Sequence, residues 1–172
     1  DVQFSKRNYL IAGTDVQWNV VRSNPESILY GDQQINNFGV FAQDQHKIIV
    51  DKQGNSILST TAGIRLDYNK FVGLNKFVQL SPKLSFLYSP NTTGKVFENT
   101  SFRFLVGRAF RAPSIAELYF KKELFGGFDF IFNPDLKPEE MISVEFGFRK
   151  QYEKRFTLDV SAYINEYDNL IQ

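Results

Sequence analysis

Cysteine is absent from the 172 residues and histidine occurs once, as His46. Without thiols there is no disulfide scaffold, no thiolate nucleophile and no cysteine-ligated zinc or iron–sulfur centre. A single imidazole argues against a histidine metal site or a Ser-His-Asp triad. Charge of one sign is lacking too: 20 Lys plus Arg against 19 Asp plus Glu leave a formal +1, so there is no electrostatic footprint for nucleic acid and no polybasic membrane patch. No stretch approaches the roughly 18 apolar residues that a membrane-crossing helix needs, which excludes a helical membrane protein. The opening residues, Asp1-Val2-Gln3-Phe4-Ser5-Lys6-Arg7, carry neither an initiator Met nor the apolar core of a signal peptide. They suggest a processed protein or a section of a longer one. Aromatic residues are what the chain has in excess: 18 Phe, 8 Tyr and 1 Trp make 16% of a sequence that is only 42% hydrophobic. That mixture suits strands that are greasy on one face and polar on the other.

A period of two runs along most of the chain. Between 142 and 149, Ile142, Val144, Phe146 and Phe148 alternate with Ser143, Glu145, Gly147 and Arg149. Phe156, Leu158, Val160, Ala162 and Ile164 repeat the pattern after the polar turn 150–155, which predicts a hairpin. Further strands are expected at 8–22, 57–70, 76–88 and 101–107, and a less regular one at 36–45, where Phe41 falls on the polar side. The total is seven antiparallel strands, without internal repeats, linkers or low-complexity tracts.

The expected connections are 22–33, 49–56, 70–76, 89–99, 108–139 and 150–155. Structureless loops beyond about 12–15 residues are uncommon, and usually functional or disordered. The 108–139 segment carries Phe110, Ile115, Leu118, Tyr119, Phe120, Leu124, Phe125, Phe128, Phe130, Ile131 and Phe132, too much apolar surface for a solvated linker. Pro113 suits the first turn of a short helix reaching Leu124.

Two architectures share a half-greasy antiparallel sheet. In a soluble sandwich or small binding barrel the apolar face points inward; in an outer-membrane barrel it points to lipid and the polar face lines the lumen. The polar faces hold Asp15, Gln17, Arg65, Asp67, Lys83, Arg103, Glu145, Arg149 and Asp159, a load that serves either water or a lumen. Strand length favours the membrane, because several runs reach or exceed the 9–11 residues of tilted membrane strands.

Two motifs carry a resemblance. Gly107-Arg108-Ala109-Phe110-Arg111-Ala112-Pro113, running on to Glu117-Leu118-Tyr119, is followed by Asn133-Pro134-Asp135-Leu136-Lys137-Pro138-Glu139. Together they resemble the TonB-dependent outer-membrane receptors. Asn37-Phe38-Gly39-Val40-Phe41-Ala42-Gln43-Asp44, Leu80-Ser81-Pro82-Lys83-Leu84-Ser85 and Asn165-Glu166-Tyr167-Asp168-Asn169-Leu170-Ile171 match further strands of that family in the right order. The resemblance spans about 8–172 and implies an all-β fold, with 1–172 forming part of the transmembrane barrel. It also implies a parent of 22 strands, plugged by an N-terminal domain and importing a scarce ligand such as an iron–siderophore complex. The implied partners are outer-membrane lipid, TonB by way of a plug that this stretch does not contain, and a small molecule such as a metal chelate. No cofactor and no nucleic acid are expected. The 108–139 loop would be extracellular with 22–33 and 70–76, and the turns at 49–56, 89–99 and 150–155 periplasmic.

Candidate ligand contacts are Arg108, Arg111, Tyr119, Phe128 and Phe130 in the long loop. A guanidinium offers a planar fork for carboxylate or phosphate, and exposed aromatic rings commonly mark a binding surface. The alternative is that Arg108, Arg111, Glu117 and Glu139 form ion pairs that fix the loop while its aromatic residues pack on one another. Glu139 with Glu140, or Asp67 with Asp159, form the only conceivable acid/base pairs, and no nucleophile, phosphate cradle or metal spacing accompanies them. His46 is expected near a strand end at the surface. Gly126-Gly127 is expected to be a turn and not a phosphate loop.

Overall fold

The computed structural model describes residues 2–3, 5–22, 32–71, 76–90, 96–119, 122–124, 128–130, 133, 135–152 and 155–171. Seven long strands form one antiparallel meander: β2 (Asn8–Val21), β3 (Gln33–Val50), β4 (Ser56–Phe71), β5 (Lys76–Tyr88), β6 (Thr100–Arg111), β9 (Glu139–Tyr152) and β10 (Phe156–Asp168). A two-residue strand, β1 (Val2–Gln3), adds to the edge of β2. Between β6 and β9 lie a short helix, α1 (Ile115–Tyr119), and a separate ribbon of β7 (Lys122–Leu124) with β8 (Phe128–Phe130).

Four expectations about boundaries change. β6 and β9 stay paired to Arg111↔Glu139, so the long connection is 112–138 and Arg108 and Arg111 stand on a strand. The helix starts after Ser114 and stops at Tyr119; at Lys122–Leu124 the chain is extended instead. The strand expected at 36–45 runs from Gln33 to Val50, because Phe41 is compatible with the polar face: it lies opposite Gly13 in register. A Cβ on Gly13 would stand 2.8 Å from the Phe41 ring, so the bare glycine is what gives the ring its place. The 49–56 turn shortens to 51–55. There the Asp51 carboxylate accepts from the Gln53 and Asn55 N–H groups at 2.9 and 2.8 Å, and Gly54 takes a φ of 86° that disfavours side-chain-bearing residues.

The sheet is a single layer, and its faces differ as the period of two requires. Even-numbered positions from β2 to β10 place Val16, Trp18, Phe38, Ile64, Leu66, Val78, Leu80, Phe104, Val144, Phe146 and Val160 on one side, and all of them are exposed. Trp18 and Ile164 reach 69% and 77%. Among the described residues only Ile35 and Leu118 are buried hydrophobics. A soluble sandwich or closed barrel would bury that face, whereas here the sheet is open and its greasy side has no cover among the described residues. On β4 and β5 the apolar series run from Leu58 to Tyr68 and from Val78 to Tyr88. Ten steps of about 3.4 Å, tilted by about 35–45°, give a band about 24–28 Å tall, which matches the ~25 Å lipid-facing band of membrane barrels.

Aromatic rings mark the short-turn end of this band. Tyr88 stacks on Phe102 with centroids 6.2 Å apart, and Phe102 meets Phe148 at 5.4 Å and Phe97 at 6.2 Å. Tyr152 and Phe156 follow at 5.9 Å. Such rings suit a boundary where one end of the side chain is apolar and the other wet.

Candidate functional site

The opposite, odd-numbered face carries two networks of ions. Arg65 on β4 bonds Asp67 at 2.5 Å and reaches Asp15 on β2 at 2.7 Å, crossing β3 on the way. It crosses at Gly39, which lies in register with both Asp15 and Asp67. A Cβ there would collide with the Arg65 Nη2 and come within 2.7 Å of the Asp15 carboxylate, so the bare glycine leaves the guanidinium its path across β3. Arg103 on β6 repeats the device over Gly147 of β9, meeting Glu145 at 3.2 Å and Asp159 of β10 at 2.9 Å. Both arginines are partly exposed, as are Asp15, Glu145 and Asp159, whereas Asp67 is buried at 7%; pairs that water reaches add little to stability singly. Their joint effect is to fix register, because a one-residue slip sends every charge to the greasy side.

At the end of the sheet that carries the 112–138 connection, Arg111 forms a buckle. Its Nε donates to Glu139 at 2.7 Å, and its Nη1 and Nη2 donate to Glu117 of α1, both at 3.0 Å. Glu139 also accepts from the Ile171 N–H at 2.8 Å, tying down the chain beyond β10. Glu117 completes a reciprocal cap: its N–H donates to the Ser114 hydroxyl at 3.3 Å while its carboxylate accepts from the Ser114 N–H at 2.6 Å. Ser114-Ile115-Ala116-Glu117 is a capping box, a sequence signal for a helix start that places Pro113 just outside the helix. The Arg111 guanidinium first, and the Ser114 N–H second, hold the Glu117 carboxyl below the usual range against a desolvation that raises it.

The buckle seats α1. Leu118 is fully buried and clusters with Ile35, Phe77, Ala112, Ile115 and Leu136. Ile35 and Phe77 are odd-numbered residues at the ends of β3 and β5, so the helix is folded over the polar face at the mouth of the wall. Arg108 is held differently. β6 leaves β5 after the Lys83↔Gly107 pair, where Pro82 has no N–H to continue the ladder. Arg108 donates to Glu140 at 2.5 Å and lines a recess of about 370 Å³ with Phe41, Gly63, Arg65, Ser81 and Lys83.

These contacts place the predicted site residues. Arg108 and Arg111 both stand at the base of the mouth loop; all three nitrogens of the Arg111 fork are engaged by Glu139 and Glu117, and Arg108 bonds Glu140 through Nη2. The ion-pair alternative describes this geometry, with Glu140 as an additional member. Tyr119 closes α1, and Phe128 and Phe130 lie on β8; their side chains, like Gly126-Gly127, fall outside the described residues. Glu139 and Glu140 alternate across the strand and each bonds its own arginine. Asp67 and Asp159 lie on β4 and β10 with three strands between them. Neither combination is a carboxylate pair. Among the described residues no group of three or more acidic, His or Cys side chains could hold a metal, and His46 is half buried toward the end of β3.

A model of the TonB dependent receptor-like β-barrel family matches residues 2–172. The chain is 39% identical over 84 residues to the vitamin B12 transporter BtuB of Vibrio vulnificus (strain CMCP6). That stretch is 49% of this chain and 12% of the relative's own length. A family match along the wall, an exposed greasy band of membrane height and a polar face tied by ion networks agree: the chain belongs to the TonB-dependent receptor family, is not an enzyme, and forms part of a β-barrel of the Gram-negative outer membrane.

Proposed function

We propose that the parent protein imports a scarce small molecule across the outer membrane with energy relayed by TonB through an N-terminal plug. This chain supplies part of its wall and the loop that folds over the mouth. The observation that carries the proposal is the family match over residues 2–172. The mouth loop seated on the polar face supports it, since a ligand entering the lumen passes that loop.

A corrinoid is the favoured ligand and an iron–siderophore complex the second. The identity to a vitamin B12 transporter supports the first. So does the state of four wall arginines: Arg65, Arg103, Arg108 and Arg111 are each already bonded to carboxylates, which weakens their pull on an anionic chelate. In this reading Arg108 and Arg111 serve the ligand by holding the loop base, and Tyr119, Phe128 and Phe130 supply aromatic contacts.

The test is uptake of labelled cyanocobalamin and of ferric siderophores by a strain deleted for the parent gene, with the gene restored and with or without functional TonB. Restored, TonB-dependent cyanocobalamin uptake is expected. TonB-dependent uptake of ferric siderophores alone would replace the first ligand by the second, and TonB-independent uptake of either would refute the transport proposal. Residues 1–172 alone are expected to transport nothing, because unpaired strand edges in lipid cost several kcal/mol for each unsatisfied backbone group. Uptake by liposomes carrying only this segment would contradict that.

A further inference from the structure

On the polar face a cation is laid across a glycine three times. Arg65 of β4 crosses Gly39 of β3 and ends on Asp15, and Arg103 of β6 crosses Gly147 of β9 and ends on Asp159. Lys83 of β5 lies over Gly63 of β4 in the same manner: a Cβ on Gly63 would stand 2.7 Å from the Lys83 Cε. The strand beyond is β3, where Gln43 is in register with Gly63. No carboxylate waits there. Lys83 makes neither an ion pair nor a hydrogen bond among the described residues.

The space around Lys83 suits an anion. It is the recess of about 370 Å³ at the fork where β6 leaves β5, and its lining includes Lys83, Arg65 and Arg108 but no acidic residue. Both guanidiniums keep spare donors among the described residues. Arg108 bonds Glu140 through Nη2, which leaves Nε and Nη1. Arg65 spends Nε and Nη2 on Asp67 and Asp15, which leaves Nη1. Cations that share one space repel each other until a counter-ion joins them, and an ionised carboxylate accepts from several such donors at once.

Depth selects the source of that carboxylate. Lys83 lies midway along β5, about seven steps of about 3.4 Å from Lys76, which at a tilt of about 35–45° is about 17–20 Å from the mouth end. The mouth helix packs at that end, on Ile35 and Phe77. An incoming small molecule meets the loop first, whereas a domain that fills the lumen meets the middle of the wall. We propose that the Lys83 recess seats an aspartate or glutamate side chain of the parent's N-terminal plug, with Arg108 and Arg65 as auxiliary donors. This deepens the proposed function and rests on its plug: the recess latches the plug to the wall.

The test uses the full-length parent protein in detergent, treated with a carbodiimide that joins an amine directly to a neighbouring carboxylate. Mass spectrometry is expected to find Lys83 linked to an acidic residue of the N-terminal domain. A Lys83 that acetic anhydride acylates but the carbodiimide leaves unlinked is merely solvated, and overturns the latch; so does a link to another residue of the wall. Lys83 exposed to acylation until citrate is added would assign the recess to a free carboxylate and overturn the plug as its source. Lys83→Met is expected to speed proteinase K cleavage of the N-terminal domain about tenfold, the loss of one charge-assisted contact, and Lys83→Arg to restore the slow rate. Equal rates in all three proteins overturn the latch. If Lys83→Met does not fold, the cross-link in the unsubstituted protein decides alone. TonB-dependent uptake together with an unlinked Lys83 overturns the latch and spares the transport reading, which TonB-independent uptake refutes separately.

Discussion

Leu118 gives the most direct check on how the mouth loop is held. It is fully buried in a small cluster with Ile35, Phe77, Ala112, Ile115 and Leu136. Leu→Ala in a core costs about 2–5 kcal/mol, less where the surroundings collapse into the gap. Four of its six residues, Leu118 among them, come from the 112–138 connection, which can settle inward, so about 2–3 kcal/mol is the appropriate range. The cluster is a satellite: the seven-stranded wall is held by its own ladders and by lipid, and it does not depend on α1. The loss therefore falls on docking of the loop. At 1.4 kcal/mol per factor of ten, Leu118→Ala should raise the undocked population about 30- to 140-fold. Two amides report it, the Leu118 N–H donated to Ser114 O at 3.2 Å and the Leu136 N–H donated to Asn133 O at 3.3 Å. Hydrogen exchange on the full-length protein should accelerate by that factor at both, with strand amides of β4 and β9 unaffected. Unchanged exchange at Leu118 and Leu136, or an equal acceleration in the strands, would refute the satellite description.

Further predictions follow from the same contacts. Glu117 is a carboxyl held below its usual range by Arg111, so its contribution to loop docking is complete above the ordinary Glu range of about 4.3 and is lost as pH falls below it. Loop exchange measured from pH 6 to pH 3 should rise toward acid, and Glu117→Gln should flatten the profile; an unaltered profile in the variant would count against the buckle. Gly147→Val fills the space over which Arg103 lies and should detach Arg103 from Glu145 and Asp159, lowering the thermal midpoint of the parent barrel more than Gly147→Ser does; equal midpoints would show that the guanidinium finds another path. Spin labels at Phe146 and Val160 should be oxygen-accessible in bilayers, and labels at Glu145 and Ser161 accessible to a water-soluble relaxation agent. Exchanged accessibilities would invert the assignment of faces.

How much of the architecture could be read in the amino-acid order depends on the range of the interaction. Strand existence was legible at 142–149, 156–165, 57–70 and 76–88, because alternation is a local property and the pleat translates it directly into two faces. Boundaries were less so: β6 and β9 run on to Arg111 and Glu139 since each supplies the other's ladder partners, which no local window contains. The α1 start was present in Ser114-Ile115-Ala116-Glu117 as a capping box; its end was not, because five residues carry too little period to mark one. Phe41 looked misplaced only until Gly13, 28 positions earlier, was seen to lie beneath it.

For the candidate site the division is sharper. Motif resemblance was enough to identify the family and the strands that frame the mouth, and residue type alone marked Arg108 and Arg111 as anion-binding forks. Only the tertiary structure showed that both arginines are already bonded to carboxylates, Arg108 to Glu140 and Arg111 to Glu117 and Glu139, and that α1 is laid over the polar face by this buckle and the buried Leu118. The physical reason is common to all of these. A strand's own sequence determines which face each side chain takes, but which side chains meet across that face is decided by the pairing of strands that are far apart in the chain.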